Sequence, residues 1–301
     1  MDKNKKILLV SLSVIMMSAV LSLLLITKFK VDNPVFLMNY CEIGIYEDQG
    51  IYPISKDDLT LKYIANIDDE RHITRVSFKE LPNSNFFASE YNSEDSFMFS
   101  YGNNSNVDEY GRYGVHTVYL TCPNFKFEGN VNEVILTEAT VEFDDGLKMD
   151  IDLGEIVLYK PKNSAIALQH TSSQSSSDGD SSETFWTKED MKLEKITTYL
   201  SEEVLEVFDF NVKYIDVEKN KEIECTKGTT IKKNHTIIVS SMYNGNEDIL
   251  KSYTIYDIRP RIYFVNEYND EYSIRYHNMR SEGPAYSHYG IYKYLKARGE
   301  L

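Results

Sequence analysis

The sequence predicts a mainly β protein with one N-terminal transmembrane helix followed by two small β-sandwich domains of immunoglobulin-like kind. Three observations carry this prediction. Residues 7–27, ILLVSLSVIMMSAVLSLLLIT, contain no charge, glycine or proline. In several segments of both halves beyond residue 35, apolar and polar residues alternate at the two-residue period of a half-buried strand. Residues 170–184, HTSSQSSSDGDSSET, contain no apolar side chain and divide that β-patterned region in two.

The first element is the helix. At ~1.5 Å per residue it spans roughly 32 Å, close to the ~30 Å hydrocarbon core of a bilayer. Lys3, Lys5, Lys6 and the amino terminus precede Ile7, whereas Lys28 and Lys30 follow Thr27. The positive-inside bias makes residues 1–6 a cytoplasmic tail, residues 7–27 the membrane span and the rest extracytoplasmic. A removable signal has an apolar core of about 7–15 residues and then a small-x-small site. Here the best small pair, Val20-Leu21-Ser22, lies inside the run, so the expectation is a single-pass anchor that is not cleaved. Ser18 and Ser22 also form a small-xxx-small pair through which two such helices could approach.

Outside the helix the chain is acidic. Removing the first thirty residues, with five basic and one acidic, from totals of 32 and 47 leaves 27 basic against 46 acidic residues, a net charge of −19. Such a surface repels phosphate, which excludes nucleic acid as a partner.

Residues 35–162 form the first predicted sandwich, with strands at 59–66, 72–80 and 115–121. Its clearest element is the hairpin within VEFDDGLKMDIDLGEIVLY. A two-residue Asp145-Gly146 turn would set apolar against polar residues on both faces. A three-residue loop, Asp144-Asp145-Gly146, pairs Phe143 with Leu147, Glu142 with Lys148 and Val141 with Met149, and gives Gly146 the positive φ of a bulge. That register also sets Glu138 opposite Asp152.

Residues 163–185 read as a flexible serine-rich linker, because they cannot bury enough apolar surface to offset the entropy of ordering. The second sandwich, residues 186–301, has strands at 207–217, 236–243 and 252–258, with Asn244-Gly245 as a turn signal between the last two. Thr187-Lys188-Glu189-Asp190 has the form of a capping box, yet Met191 and Leu193 suit a strand, which is the preferred reading. Cys41, Cys122 and Cys225 all fall outside the span. Cys41 with Cys122 is the only pairing within one domain, while Cys225 reads as a small buried apolar residue. Asn103-Asn104-Ser105 and Asn234-His235-Thr236 match glycosylation acceptors.

No phosphate loop, nucleophile elbow or zinc-binding helix motif occurs, and no cofactor is implied. The six histidines show no pair at i+2 or i+4. His116 reads as a packed histidine and His170 as solvated. The serines cluster in low-complexity sequence, where a nucleophile would not be held. Glu138, Asp150 and Asp152 share one predicted sheet face and form a candidate calcium or acid/base cluster. The C-terminal YSHYGIYKYLKARGEL sets Tyr286, Tyr289, Tyr292 and Tyr294 beside Lys293, Lys296 and Arg298. This is a basic, aromatic candidate for partner binding, on a final strand or short helix.

These features point to a membrane-anchored, extracytoplasmic binding or accessory protein of the cell envelope. It is expected to be non-enzymatic and to engage another envelope protein, a secreted peptide or a surface polymer. An anchored hydrolase using the carboxylate cluster is one alternative, and a subunit of a membrane complex held through its helix is another. A pocket with converging acids or histidines would favour the enzyme, and flat, closed sandwiches would favour binding.

Overall fold

The computed structural model describes residues 3–46, 54–90, 107–123, 125–127, 129, 131–161, 167–176, 179–217 and 221–301. Asn103-Asn104-Ser105 and Asp178 lie outside them. Helix α1 runs Lys3–Lys28. Its described side chains at residues 8–22 cover only about 22 Å at ~1.5 Å per residue. Among the described residues no helix is long and apolar enough to cross a membrane.

The first half is a run of strands: β1 (Val35–Phe36), β2 (Asn39–Gly44), β3 (Ile54–Asn66), β4 (Ile73–Phe78), β5 (Phe86–Ser89), β6 (Val107–Tyr110), β7 (Tyr113–Cys122), β8 (Glu133–Phe143) and β9 (Lys148–Tyr159). They hydrogen-bond in the order β1-β3-β7-β5-β4-β8-β9-β2, with β6 on β7. Residues 35–44 close this sheet on itself. Val35 and Phe36 pair with Ile64 and Tyr63 on β3, and the Leu37 N–H donates to the Lys62 carbonyl at 2.9 Å. Two residues later Asn39 pairs with Gly154 on β9. Both ends of the sheet therefore face one core, in which Leu61, Val76, Leu120, Leu136, Val141 and Leu153 are all fully buried.

The β8–β9 hairpin has the three-residue loop. Val141 pairs with Met149, Glu142 with Lys148 and Glu138 with Asp152; the Phe143 N–H donates to the Leu147 carbonyl at 2.9 Å, and Gly146 has φ +84°. Cys41 and Cys122 are not bridged, and none of the three cysteines forms a disulfide. Cys225 is buried, as its sequence context implied.

The second half holds β10 (Leu168–Ser175), β11 (Asp180–Thr187), β12 (Met191–Thr197), α2 (Glu202–Leu205), β13 (Phe208–Asp216), β14 (Lys221–Glu224), β15 (Thr230–Ile231) and β16 (Thr236–Tyr243). After these come α3 (Ile249–Ser252), β17 (Ile255–Ile258), β18 (Arg261–Val265), β19 (Glu271–Arg275), β20 (Met279–Ser281) and α4 (His288–Arg298). A five-stranded sheet, β10-β11-β16-β13-β14, and a four-stranded sheet, β15-β12-β18-β19, enclose a second core around Leu193, Val212, Ile237, Val239, Ile262 and Phe264.

The serine-rich segment is not a tether. It pairs β10 with β11, and β11 with β16 over its whole length. Phe185, 5% exposed, anchors β11 against the apolar β16, and backbone hydrogen bonds need no apolar side chain to extend that template to β10. Asn244-Gly245 does not turn a hairpin either. The Asp248 carboxylate accepts the N–H groups of Leu250 and Lys251, starting α3, and the chain then leaves the five-stranded sheet.

It leaves for the first half. Strand β17 pairs in parallel with β2, and β20 pairs with β17, so two strands of the second half extend the first half's sheet. Helix α4 lays Ile291, Tyr294 and Leu295 on Val35, Leu37, Ile64 and Val115. This contact explains the two-sided burial of β7.

Candidate functional site: an open sheet face around Trp186

Alternation decides which side chains of the five-stranded sheet look outward. Glu183, Phe185 and Thr187 on β11 are buried, as are Ile237, Val239 and Ser241 on β16, so their neighbours face away from the core. The outward set runs in rows across the strands. Gln169, Trp186, Thr236 and Ile215 form the first row, and Ser172, Thr184, Ile238 and Lys213 the second. Gln174, Ser182, Ser240 and Asn211 form the third, followed by Asp180, Met242 and Asp209.

Trp186 is the only tryptophan in the chain, and it is 43% exposed. The lane from Trp186 to Asp180 runs six residue steps along β11, or roughly 20 Å at ~3.3 Å per residue. Its far end dips into a depression of about 780 Å³ lined by Gln174, Ser182, Asp209, Asn211, Ser240 and Met242. Lys213 is paired with Glu222 at 3.5 Å, so the middle of the lane carries little net charge.

Hydroxyls and amides both donate and accept hydrogen bonds, and an exposed indole offers a flat apolar plate. Together they match a ligand with alternating hydroxyl groups and apolar C–H faces. The sequence signal for this lane was present but hidden. The alternation Ser181, Glu183, Phe185, Thr187 marks β11, yet the serines around it read as linker.

The sequence-predicted residues lie elsewhere. Glu138 and Asp152 are cross-strand neighbours, but each carboxylate has its own partner. Glu138 pairs with Lys79, Asp150 accepts the Thr140 hydroxyl at 2.6 Å, and Asp152 accepts the Gly154 N–H at 3.0 Å. Among the described residues no group of three or more histidines, cysteines or acids is placed to hold a metal.

The C-terminal patch is helical, and folding divides it. Tyr294 is 2% exposed and stacked on Tyr253 at 4.5 Å, and Tyr286 lies against Tyr110 and Tyr253. Tyr292 meets Phe29 edge-on at 5.4 Å and Arg298 is half-buried. Tyr289, Lys293 and Lys296 remain outward, with the Lys293 ammonium 4.5 Å from the Tyr289 ring centre.

No family model and no curated protein matches the chain. Among solved structures it is similar to the YadV chaperone, at 9% identity over 81% of this chain and 98% of that one, with a TM-score of 0.24. It is also similar to a protein of unknown function from Porphyromonas gingivalis W83, at 12% identity over 74% of this chain and 93% of that one, with a TM-score of 0.22. At these TM-scores neither likeness bears on function.

Proposed function

We propose that this chain is a membrane-anchored, extracytoplasmic binding protein of the cell envelope that holds a neutral surface polymer along the outer face of its five-stranded sheet. The observation that carries the reading is the lane itself, which no described residue covers: a single exposed tryptophan at one end, hydroxyl and amide groups with Ile238 and the paired Lys213 in the middle, and Asp180 and Asp209 at the other end. A protein or polyanion ligand would call for a large apolar patch or a basic one, and the lane is neither. In this reading two immunoglobulin-like sandwiches sit on one anchor, with the amino terminus cytoplasmic. The charge-free run Ile7–Thr27 supports the anchor, as do Leu8, Val10 and Met17, whose side chains are 71%, 65% and 70% exposed on α1.

Trp186 reports directly on the lane. Adding neutral oligosaccharides, such as β-1,4-linked glucose or N-acetylglucosamine oligomers, to the full chain in detergent should shift its fluorescence saturably. Trp186→Ala should weaken binding about tenfold, the equivalent of ~1.4 kcal/mol. Unchanged affinity in that variant would remove the lane as the site. The anchor is tested separately: the chain should stay in the membrane pellet through an alkaline carbonate wash, and its release would reject the span.

A further inference from the structure

We propose that Ser173 and His170 form a nucleophile and base pair that hydrolyses short-chain acyl esters in a cavity at the open edge of the second sandwich. The cavity lies on the inner side of β10 and β11, opposite the polymer lane, and the activity does not depend on polymer binding. It is an open depression of about 500 Å³, with His170 and Ser173 exposed on its rim. His170, Ser173, Glu183 and His277 are among the residues that line it, together with the apolar Leu168, Phe185 and Ile274.

In a regular strand, residues three apart point to opposite faces. Strand β10 is irregular between His170 and Ser172, which makes Thr171 an extra residue. The Thr171 hydroxyl donates to the Thr184 carbonyl at 2.9 Å and fixes the bulge. His170 then stands opposite Phe185, and Ser173 opposite Glu183, on one face. The His170 Nε2 lies 2.9 Å from the Ser173 Oγ, the reach of a base toward the hydroxyl it activates. Phe185 sets its ring edge-on to the imidazole, with centroids 5.4 Å apart.

Glu183 stands opposite Ser173 on β11, on the face of the pair. It is 3% exposed, and its Oε1 accepts the backbone N–H of His277 at 2.7 Å. Burial pushes this carboxyl up, opposed by that N–H and by the charge of His170.

The chemistry closes on these groups and water. The Ser173 Oγ bonds to the acyl carbon as its proton passes to the His170 Nε2. The ester C–O bond then breaks, and Nε2 returns the proton to the departing alkoxide. Water, deprotonated by the same nitrogen, attacks the acyl-serine; the carboxylic acid leaves and the hydroxyl is restored. Leu168, Phe185 and Ile274 provide the apolar wall for the acyl chain.

The test is labelling of the full chain in detergent with a fluorophosphonate, with the modified residue located by mass spectrometry. Label should appear on Ser173, vanish in Ser173→Ala and persist in Ser175→Ala. His170→Gln should slow labelling and p-nitrophenyl butyrate hydrolysis by about 100-fold, with a thermal melt matching the parent. Glu183→Gln should slow both less, leaving the labelled residue unchanged. Labelling elsewhere than Ser173, or a His170→Gln rate within about twofold of the parent, would overturn the proposal.

Discussion

Glu90 shows what a single residue decides in this molecule. Its carboxylate is 5% exposed and takes the Tyr63 hydroxyl at 2.8 Å and the Ile73 N–H at 2.9 Å on one oxygen. The other oxygen faces the Nδ1 atoms of His72 and His116 at 2.9 and 3.4 Å. Burial alone would raise this carboxyl, but the hydrogen bonds from His116, His72, Ile73 and Tyr63 outweigh it and hold the group at about 2. Because the folded-state value lies below the usual 4.5, Glu90 contributes stability above that pH and loses it as the pH falls toward about 2. Thermal melts between pH 5 and 2 should therefore fall more steeply for the parent than for Glu90→Gln. At neutral pH the variant should be less stable by about 1–3 kcal/mol. Parallel pH profiles would show that the cluster does not titrate with folding. The sequence marked His116 as packed, but not its partners, because residues 63, 72, 90 and 116 meet only when β3, β4, β5 and β7 align.

At the scale of the element, two glycines separate local conformation from packing. Gly146 and Gly154 have nearly the same φ, +84° and +83°. A Cβ on Gly146 would meet nothing within 4 Å, whereas one on Gly154 would lie 2.6 Å from the Asn39 carbonyl oxygen. Gly146→Ala should cost about 1 kcal/mol of backbone strain. Gly154→Ala should cost at least ~2 kcal/mol, because β2 must also move away from β9. Equal losses in urea titrations would contradict this division. The hairpin containing Gly146 was legible because pairs four to eight residues apart fix its register through alternation alone. The β10–β11 hairpin was not, since its outer strand is exposed almost throughout and leaves no hydrophobic pattern. Limited proteolysis should accordingly spare residues 168–175 and 180–187 until global unfolding, and rapid nicking within either strand would restore the linker reading.

Across the whole molecule, the two halves are joined at β2. Glu42 is fully buried and carries the junction. One oxygen accepts the Tyr199 N–H at 2.7 Å and the Thr198 hydroxyl at 3.1 Å, and the other accepts the Arg259 N–H at 2.6 Å. Nearby, the Arg275 guanidinium lies 3.9 Å from the Tyr159 ring centre and donates to the Arg259 carbonyl at 2.8 Å. Together with the parallel β2–β17 pairing and α4 on the first sheet, this predicts one cooperative unfolding transition in calorimetry. Two well-separated transitions would mean that the halves fold independently. Glu42→Ala should destabilise the protein by ~3 kcal/mol or more, because three donors lose their acceptor in a buried place.

By itself the sequence determined the β character, the strands β3, β4, β7, β8, β9, β12, β13, β16 and β17, the register of the β8–β9 hairpin and the presence of a helix at the start. All of these depend on the order of side chains within about ten residues, where period and turn chemistry act directly. Tertiary structure alone decided the rest: the ordering of the serine-rich segment, the crossing of β17 into the first sheet, the lane around Trp186 and the meeting of His170 with Ser173 over Glu183. Each of these depends on a neighbouring strand as template, and a strand's partner is fixed by burial across the whole chain, not by its own residues.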